Sequence, residues 1–290
     1  MFIGRKNMIQ NKTWINMGMI AITMLASFSN VHAQEAKTVK ASTDKSVNYS
    51  KGMAGQSAVM NGKSKIIFPI EYLKTNAGTI EVWVKSTPTV DAFQYLISAG
   101  FYNTQFYSAG YDAKGISFLN LKRNTEALLT EQRTKNKFAY YANLKTKTEV
   151  PCTGDWVHLA FVWATIKPGA CLLQTYINGK LIEDRYNTTI GTEWLQNLKT
   201  FGIGFSTSSP GQQGFKGELD ELRISNYPKT PVEIKAAFGT VSSGKKLTAE
   251  KGTLLLLNFE DTTNAQSSTK EQLDKTQITE SFNKIMKELK

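Results

Sequence analysis

The residues best suited to catalysis lie in the stretch Gly217–Ser225, which reads G-E-L-D-E-L-R-I-S. Paired carboxylates serve as nucleophile and acid/base in enzymes that cleave glycosidic bonds. In a β-strand alternate residues share a face, so Glu218 and Asp220 are expected to point together and Glu221 to the opposite side. The next position on the first face is Leu222 in a regular strand and Arg223 in a bulged one. This face therefore carries two carboxylates. We favour a structural role for them, because buried or half-buried acids are usually paired rather than catalytic.

A second chemistry-bearing feature is the basic segment, residues 114–147, with eight Lys or Arg and two Glu. Aromatic residues are interleaved with these charges and also precede them. Aromatic rings stack on sugars, while Arg and Lys pair with carboxylate or sulfate groups, which suits an acidic polysaccharide. A solvated hairpin with an ordinary positive surface is the alternative. The candidate ligand-binding residues are Tyr102, Arg123, Arg133, Lys135, Tyr140 and Tyr141.

The remaining candidates for chemistry are few. Residues 34–290 contain one histidine, His158, which lies mid-strand on the same face as Trp156, so we expect a structural histidine. Asp112, Asp155 and Asp184 lie at predicted strand ends, but no dense D-x-D-x-D run is present, so calcium is possible but unplaced. No cofactor is required.

Two cysteines, Cys152 and Cys171, could in principle form a disulfide in an exported protein. Strands Trp156–Trp163 and Leu172–Ile177, joined near Lys167, would place Cys171 opposite about Trp163. Cys152 would then lie roughly 36 Å along the strand, at about 3.3 Å per residue. A disulfide needs Cα atoms within about 7 Å, so none is expected.

The N-terminus has the pattern of a secretory signal peptide. Arg5, Lys6 and Lys12 precede an apolar run at 17–28, followed by Val31-His32-Ala33. The run is shorter than the roughly 20 residues that span a bilayer. We therefore expect export after cleavage at Ala33, to the periplasm, the medium or the cell surface, with no membrane span. The exported chain keeps a formal net charge of +8, because only three of the 35 basic residues and none of the 24 acidic ones are removed.

Most of the exported chain consists of short β-type runs separated by turn residues such as Asn61-Gly62 and Asn178-Gly179. This pattern predicts an all-β sandwich. Thr230, Pro231 and Glu233 predict a capped short helix ending at Gly239. A second, C-terminal helix is predicted by an apolar stripe at Ile278, Phe282, Ile285, Met286 and Leu289. We favour a tail helix that is docked on the sandwich or loosely attached over one that binds a partner.

Several motifs, in order, resemble a known family. These are G-Q-S-A-V-M-N-G-K-S at 55–64, G-T-I-E-V-W-V-K at 78–85, W-V-H-L-A-F-V-W at 156–163, T-Y-I-N-G-K-L at 175–181 and F-K-G-E-L-D-E-L-R-I-S at 215–225. Together they resemble the LamG-like jelly-roll domain of the concanavalin A-like lectin/glucanase superfamily. The resemblance implies a two-sheet antiparallel jelly roll. With the two helices predicted above, the expected fold is an all-β sandwich with one short helix and a C-terminal helix.

The resemblance also informs function, although this fold serves many activities. Glycosidases of the superfamily place three carboxylates on one strand as E-x-D-x-E or E-x-D-x-x-E, and residues 218–223 lack the third. The expected function is a secreted, non-catalytic carbohydrate-binding or adhesion module with a glycan partner, an acidic polysaccharide being the candidate. The alternatives are a polysaccharide-degrading glycosidase or lyase, and a structural surface protein that binds other proteins. Export and the lack of a nucleic-acid-binding motif argue against nucleic acid.

The predicted organisation is a signal peptide at 1–33, a flexible leader at 34–46, a LamG-like domain at 47–262 and a polar tail with an amphipathic helix at 263–290. The large aromatics Trp83, Trp156, Phe161, Trp163 and Phe205 are expected to pack in the core rather than to form a ligand platform.

Overall fold

A computed structural model provides the architecture. It describes residues 37–43, 47–73, 75–87, 94–101, 104–112, 115–118, 144–145, 154–167, 170–187, 198–207, 213–260, 264–269 and 273–289. Within these ranges the chain forms two antiparallel sheets, a 3-10 turn at Ile70–Tyr72 and two α-helices. The predicted two-sheet jelly roll is confirmed.

The first sheet, sheet A, has the order β1-β17-β16-β15-β6-β11-β12-β13, and β4 also pairs with β15 while β3 pairs with β4. Its strands are β1 (Lys37–Lys40), β3 (Asn48–Lys51), β4 (Gln56–Asn61), β6 (Ala77–Ser86), β11 (Trp156–Lys167), β12 (Ala170–Ile177), β13 (Lys180–Asn187), β15 (Lys216–Ser225), β16 (Thr253–Leu257) and β17 (Asn264–Ser267).

The second sheet, sheet B, has the order β10-β9-β8-β7-β14-β5-β2. Its strands are β2 (Ser42–Thr43), β5 (Ile66–Pro69), β7 (Gln94–Phe101), β8 (Thr104–Asp112), β9 (Gly115–Phe118), β10 (Leu144–Lys145) and β14 (Thr200–Ile203).

The main core lies between the sheets and follows from the two-residue period of the strands. In β6 the inward residues are Ile80, Val82 and Val84, and in sheet B they include Phe68 and Phe201, whose rings stack at 5.9 Å. Burying these β-branched and aromatic side chains is the dominant favourable term in folding. Trp83, Phe161, Trp163 and Phe205 are buried, as predicted, and Trp156 is half-buried.

The outer face of sheet A is covered by two helices, α1 (Pro231–Ser242) and α2 (Lys275–Glu288). Helix α1 packs Ala237 and Val241 near Trp83. Helix α2 packs Ile278 and Ile285, with Phe282 and Leu289 partly buried, on the outward side chains of β6, β11 and β12. Of the two arrangements expected for the C-terminal helix, the structure shows the docked one.

The N-terminal end of helix α1 agrees with the prediction, and its C-terminal end does not. Thr230 and Glu233 form the predicted capping box, with Pro231 at the first helical position. The helix does not stop at Gly239 but continues to Ser242. The residue with the left-handed backbone is Gly244, at φ +78°, whose N–H donates to the carbonyl of Val241 and closes the last turn.

Two further expectations need correction at the edges of the sheets. Residues 37–40 and 42–43 fall in the predicted flexible leader, yet they form β1, which pairs with β17, and β2, which pairs with β5. Main-chain pairing at a sheet edge needs no apolar periodicity, which explains the error. Sheet A also extends past the predicted boundary at 262, because β17 begins at Asn264.

The register of β11 and β12 corrects the predicted position of Cys171. It pairs with Thr165, two residues beyond Trp163, because β11 continues to Lys167 and the turn is tighter than expected. Cys152 lies outside the described residues, so the absence of a disulfide stays a prediction.

Candidate functional site

Strand β15, which carries the acidic stretch, is the branch point of sheet A. Its first part, Lys216–Leu219, pairs with β4, and its second part, Leu222–Ser225, pairs with β16. A β-bulge separates the two parts, between Asp220 and Arg223, and Glu221 has a left-handed backbone with φ +48°. The bulged register therefore applies, and Arg223 occupies the third position.

The bulge also corrects the predicted orientation of Glu221. Leu219, Leu222 and Ile224 point into the main core, so the side chains of Asp220, Glu221 and Arg223 are left for the outer face of sheet A. Two consecutive acidic residues thus share a face, because the bulge interrupts the strand alternation.

Each carboxylate of this stretch is held by neighbouring groups. Glu218 accepts hydrogen bonds from Ser50, from Ser57 Oγ at 2.7 Å and from Lys85 Nζ at 2.9 Å. Despite partial burial, the hydrogen bonds from the two serines and Lys85 lower the pKa of Glu218. Such a carboxylate stays ionised and engaged, which supports a structural role.

The carboxylates of Asp220 and Glu221 hold neighbouring backbone segments against the bulge. Asp220 accepts from the backbone N–H of Met53 at 2.8 Å and of Ala54 at 3.2 Å. Glu221 accepts from the Leu247 N–H at 2.7 Å and from Asn258 Nδ2 at 2.8 Å. Burial raises the pKa of Asp220 to about 6 and that of Glu221 to about 7, although these donors favour the ionised forms.

A buried ion network lies beside the bulge, on the outer face of sheet A. Glu81 accepts from Arg223 Nε at 2.9 Å, and Lys229 Nζ lies 3.3 Å from the same Oε2 atom. Arg223 and Lys229 also form ion pairs with Glu250. Burial raises the pKa of Glu81, but the cations Arg223 and Lys229 outweigh it and hold that pKa at about 2.

His158 borders this network and is 1 % exposed. Its Nε2 atom lies 4.0 Å from Glu81 Oε1, and its ring lies 5.5 Å from that of Trp83 and 5.9 Å from that of Phe238. Burial lowers the pKa of His158 to about 4 despite the neighbouring Glu81. The predicted structural role of this histidine agrees with its packing.

The sequence interpretation missed most of this network. Glu81, Lys229 and Glu250 come from segments far apart in sequence, so no local spacing marks them. The one available indication was a charged residue, Glu81, inside the strongly apolar strand β6. A charge in a buried strand is rarely tolerated unless it is paired.

The six predicted ligand-binding residues, Tyr102, Arg123, Arg133, Lys135, Tyr140 and Tyr141, lie outside the described residues. Five of these residues lie in the segment 119–143, and the strands on either side of that segment are described. Residues 119–143 follow β9 and precede β10, and Phe118 pairs with Leu144. Both ends of this segment therefore meet at the β10 edge of sheet B.

Of the three aspartates at predicted strand ends, two have described side chains. The side chains of Asp155 and Asp184 are exposed, and that of Asp112 lies outside the described set. Within the part of the chain that the structure describes, no three His, Cys, Asp or Glu side chains are grouped to hold a metal ion. No described helix is long and apolar enough to cross a membrane.

A family model described as the concanavalin A-like lectin/glucanases superfamily matches residues 60–235. The chain belongs to this superfamily, and its two-sheet architecture agrees with the membership. Comparison with curated protein sequences gives no match.

Several solved structures share the fold. The binding domain of Paraclostridial Mosquitocidal Protein 1 has a TM-score of 0.54 and 13% identity over 73% of this chain and 52% of that one. Domain 4 of AbnA, a GH43 extracellular arabinanase from Geobacillus stearothermophilus in complex with arabinotriose, has a TM-score of 0.48 and 19% identity over 70% and 98%. The Ruminococcus gnavus IT-sialidase CBM40 bound to alpha2,3 sialyllactose has a TM-score of 0.48 and 14% identity over 70% and 100%.

Proposed function

We propose that the chain is an exported, non-catalytic carbohydrate-binding module whose ligand is an acidic polysaccharide. Membership of a superfamily described by lectins and glucanases, both of which bind carbohydrate, supports the ligand class. The acidic nature of the ligand is supported by the basic and aromatic composition of residues 114–147.

The main support for the proposal is that the two sheets have different surroundings. The outer face of sheet A is occupied by α1, α2 and the buried ions of Glu81 and Arg223. The basic segment is anchored instead in sheet B, through β9 and β10. This pairing supports a ligand position at the β10 edge of sheet B.

A non-catalytic module is supported by the state of the acidic stretch. Glu218, Asp220 and Glu221 are all engaged by main-chain or side-chain donors, and Arg223 stands where the third carboxylate of the glycosidase pattern would be. A retaining mechanism needs two carboxyl groups about 5 Å apart with free access to the sugar. Incubation with acidic and neutral polysaccharides should release no reducing ends or unsaturated uronides.

The binding experiment uses the chain that begins at Gln34. We expect retention on polygalacturonate or heparin, weak retention on neutral dextran, and steady weakening with salt, because exposed charges are screened beyond about 8 Å at physiological ionic strength. Equal binding to dextran would contradict the acidic ligand.

The triple variant R123A/R133A/K135A tests the basic segment. We expect loss of retention with little change in melting temperature, because surface charges contribute only about 0 to 1 kcal/mol each to folding. The matched control K235A/K245A/K251A removes the same charge from exposed lysines in or near α1. Parental retention of the first triple variant, or equal loss in both, would refute a specific role of the segment.

The aromatic residues of the segment are tested separately. Replacing Tyr140 or Tyr141 with Ala should weaken binding without changing its salt dependence, because stacking on a sugar involves no ion. A changed salt dependence would show that these tyrosines act through neighbouring charges.

Export is supported by the basic start, apolar run and small-residue exit of residues 1–33. Expression of the full chain in a bacterial host followed by N-terminal sequencing of the exported protein should give Gln34 as the first residue. An uncleaved, retained chain would contradict this part of the proposal.

A further inference from the structure

Three loop stretches meet at one end of the sandwich and are joined by backbone hydrogen bonds. They are loop 1 (61–65), loop 2 (204–207) and loop 3 (213–216). The Gly62 N–H donates to the Phe215 carbonyl at 2.9 Å, and the Phe215 N–H donates to the Gly204 carbonyl at 2.8 Å. A Cβ atom on Gly214 would lie 2.0 Å from the Gly62 carbonyl oxygen, so the backbones of loops 1 and 3 are in close contact.

Loop 1 is also organised from within. The Asn61 side-chain oxygen accepts from the N–H of Lys63 at 2.9 Å, from the N–H of Ser64 at 3.0 Å and from the Ser64 hydroxyl at 3.0 Å. Asparagine commonly fixes a turn in this way. The backbone that carries Lys63 and Lys65 is therefore preorganised.

The cluster carries three lysines. Lys63 and Lys216 are exposed and Lys65 is partly exposed. Lys216 pairs with Asn61 across β15 and β4, and its Cγ and Cε atoms lie 3.2 Å from where a Gly62 Cβ would stand. The ammonium group of Lys65 lies 5.8 Å from the centre of the Phe205 ring, which directs it toward loop 2.

None of these three lysines forms an ion pair within the described residues, whereas Lys85, Lys229, Lys246 and Lys284 all do. Loops 1, 2 and 3 contain no acidic residue at the positions the structure describes. An anionic ligand that reaches these ammonium groups gains charge-assisted hydrogen bonds without displacing a carboxylate of the described residues.

We propose that Lys63, Lys65 and Lys216 form an anion-binding site that takes the carboxylate or sulfate groups of an acidic polysaccharide. The inference rests on the proposed function and adds a contact surface outside residues 114–147. Gln94 links the two regions, because its side chain accepts from the Lys216 N–H at 2.9 Å and its backbone pairs with Tyr111 in β8 of sheet B. A polymer bound along sheet B can thus reach the three loops.

The test compares K63A/K65A/K216A with the control K235A/K245A/K251A, each in the chain that begins at Gln34. Affinity for heparin and polygalacturonate is measured at several salt concentrations. We expect the loop variant to bind at least about tenfold more weakly. By analogy with other polyanions, the slope of log affinity against log salt should fall by about two, for the two to three counterions no longer released. The control should match the parent, and K63R/K65R/K216R should retain binding.

The outcomes separate this inference from the proposed function. If the parent chain binds no acidic glycan, both fail. If the parent binds and the loop variant binds equally well with the same salt slope, the proposed function stands and the loop site is refuted. If the loop variant has a lowered melting temperature, K63E/K65R/K216R decides, because its one reversed charge should still weaken binding relative to K63R/K65R/K216R, and equal binding of the two refutes the site.

Discussion

At the scale of single residues, His158 shows how burial sets the response to pH. Its surroundings include Glu81, Arg223, Lys229 and the rings of Trp83 and Phe238. Burial holds the pKa of His158 at about 4, below the ordinary 6.5. The unfolded chain therefore takes up the proton first as the pH falls. Folding stability from this residue is present above pH 6.5 and is lost between about pH 6.5 and 4.

We predict that His158→Gln reduces this acid sensitivity. Measured by urea unfolding, the parent should lose about 2 to 3 kcal/mol relative to the variant between pH 7 and 4, since one pKa unit corresponds to about 1.4 kcal/mol. The two chains are compared with each other because Asp220 and Glu221 also titrate in this range. Burial raises their pKa values to about 6 and about 7, so the folded state takes up their protons first. Their contribution to folding stability therefore increases as the pH falls from about 7 to 4. Parallel pH profiles for the two chains would contradict the prediction.

Glu81 is the residue on which the buried ions depend. Removing it leaves Arg223 and Lys229 buried with only the half-exposed Glu250 as a partner. Loss of one member of a buried ion pair costs about 3 to 5 kcal/mol. Glu81→Gln should therefore lower the free energy of unfolding by that amount, whereas Glu183→Gln, in edge strand β13, should change it by less than about 1 kcal/mol. An equal effect of the two variants would show that the network contributes no special stability.

At the scale of elements, the sequence predicted the long strands and both helices because their periodicity is local. The motifs at 78–85 and 156–163 lie within β6 and β11, and all of the motif at 215–225 except Phe215 lies within β15. The strands β1 and β2 and the bulge at Glu221 were not predicted, since each depends on which distant strand is the neighbour. Lys63, Lys65 and Lys216 likewise become one group only through loop packing.

Helix α2 provides a test at this scale, because it covers an apolar face of sheet A. Ile285 is fully buried there, next to side chains such as those of Ala160 and Val162. Ile285→Ala should cost about 2 to 5 kcal/mol of unfolding free energy, as for other large-to-small core changes. The exposed Lys287→Ala in the same helix should cost less than about 0.5 kcal/mol. A small effect of Ile285→Ala in thermal unfolding would mean that the helix is only loosely attached.

At the scale of the whole molecule, the two faces of the sandwich have different environments. Helices and buried ions close the outer face of sheet A, while sheet B anchors the basic segment and adjoins the lysine-bearing loops. The sequence alone identified the fold and the charge of the segment. It could not show which face of sheet A is covered, because that depends on where α1 and α2 dock.

This asymmetry predicts where a bound glycan protects the backbone. In hydrogen exchange of the chain that begins at Gln34, a saturating acidic polysaccharide should slow exchange in peptides that cover 61–65, 94–147 and 204–216. Peptides from α1 and α2 should exchange at unchanged rates, because these helices lie on the far side of sheet A from sheet B. In the variant K63A/K65A/K216A, the protection at 61–65 and 213–216 should decrease more than the protection elsewhere. Protection confined to residues 231–242 or 275–288 would place the ligand on the helical face and overturn the assignment of the binding side.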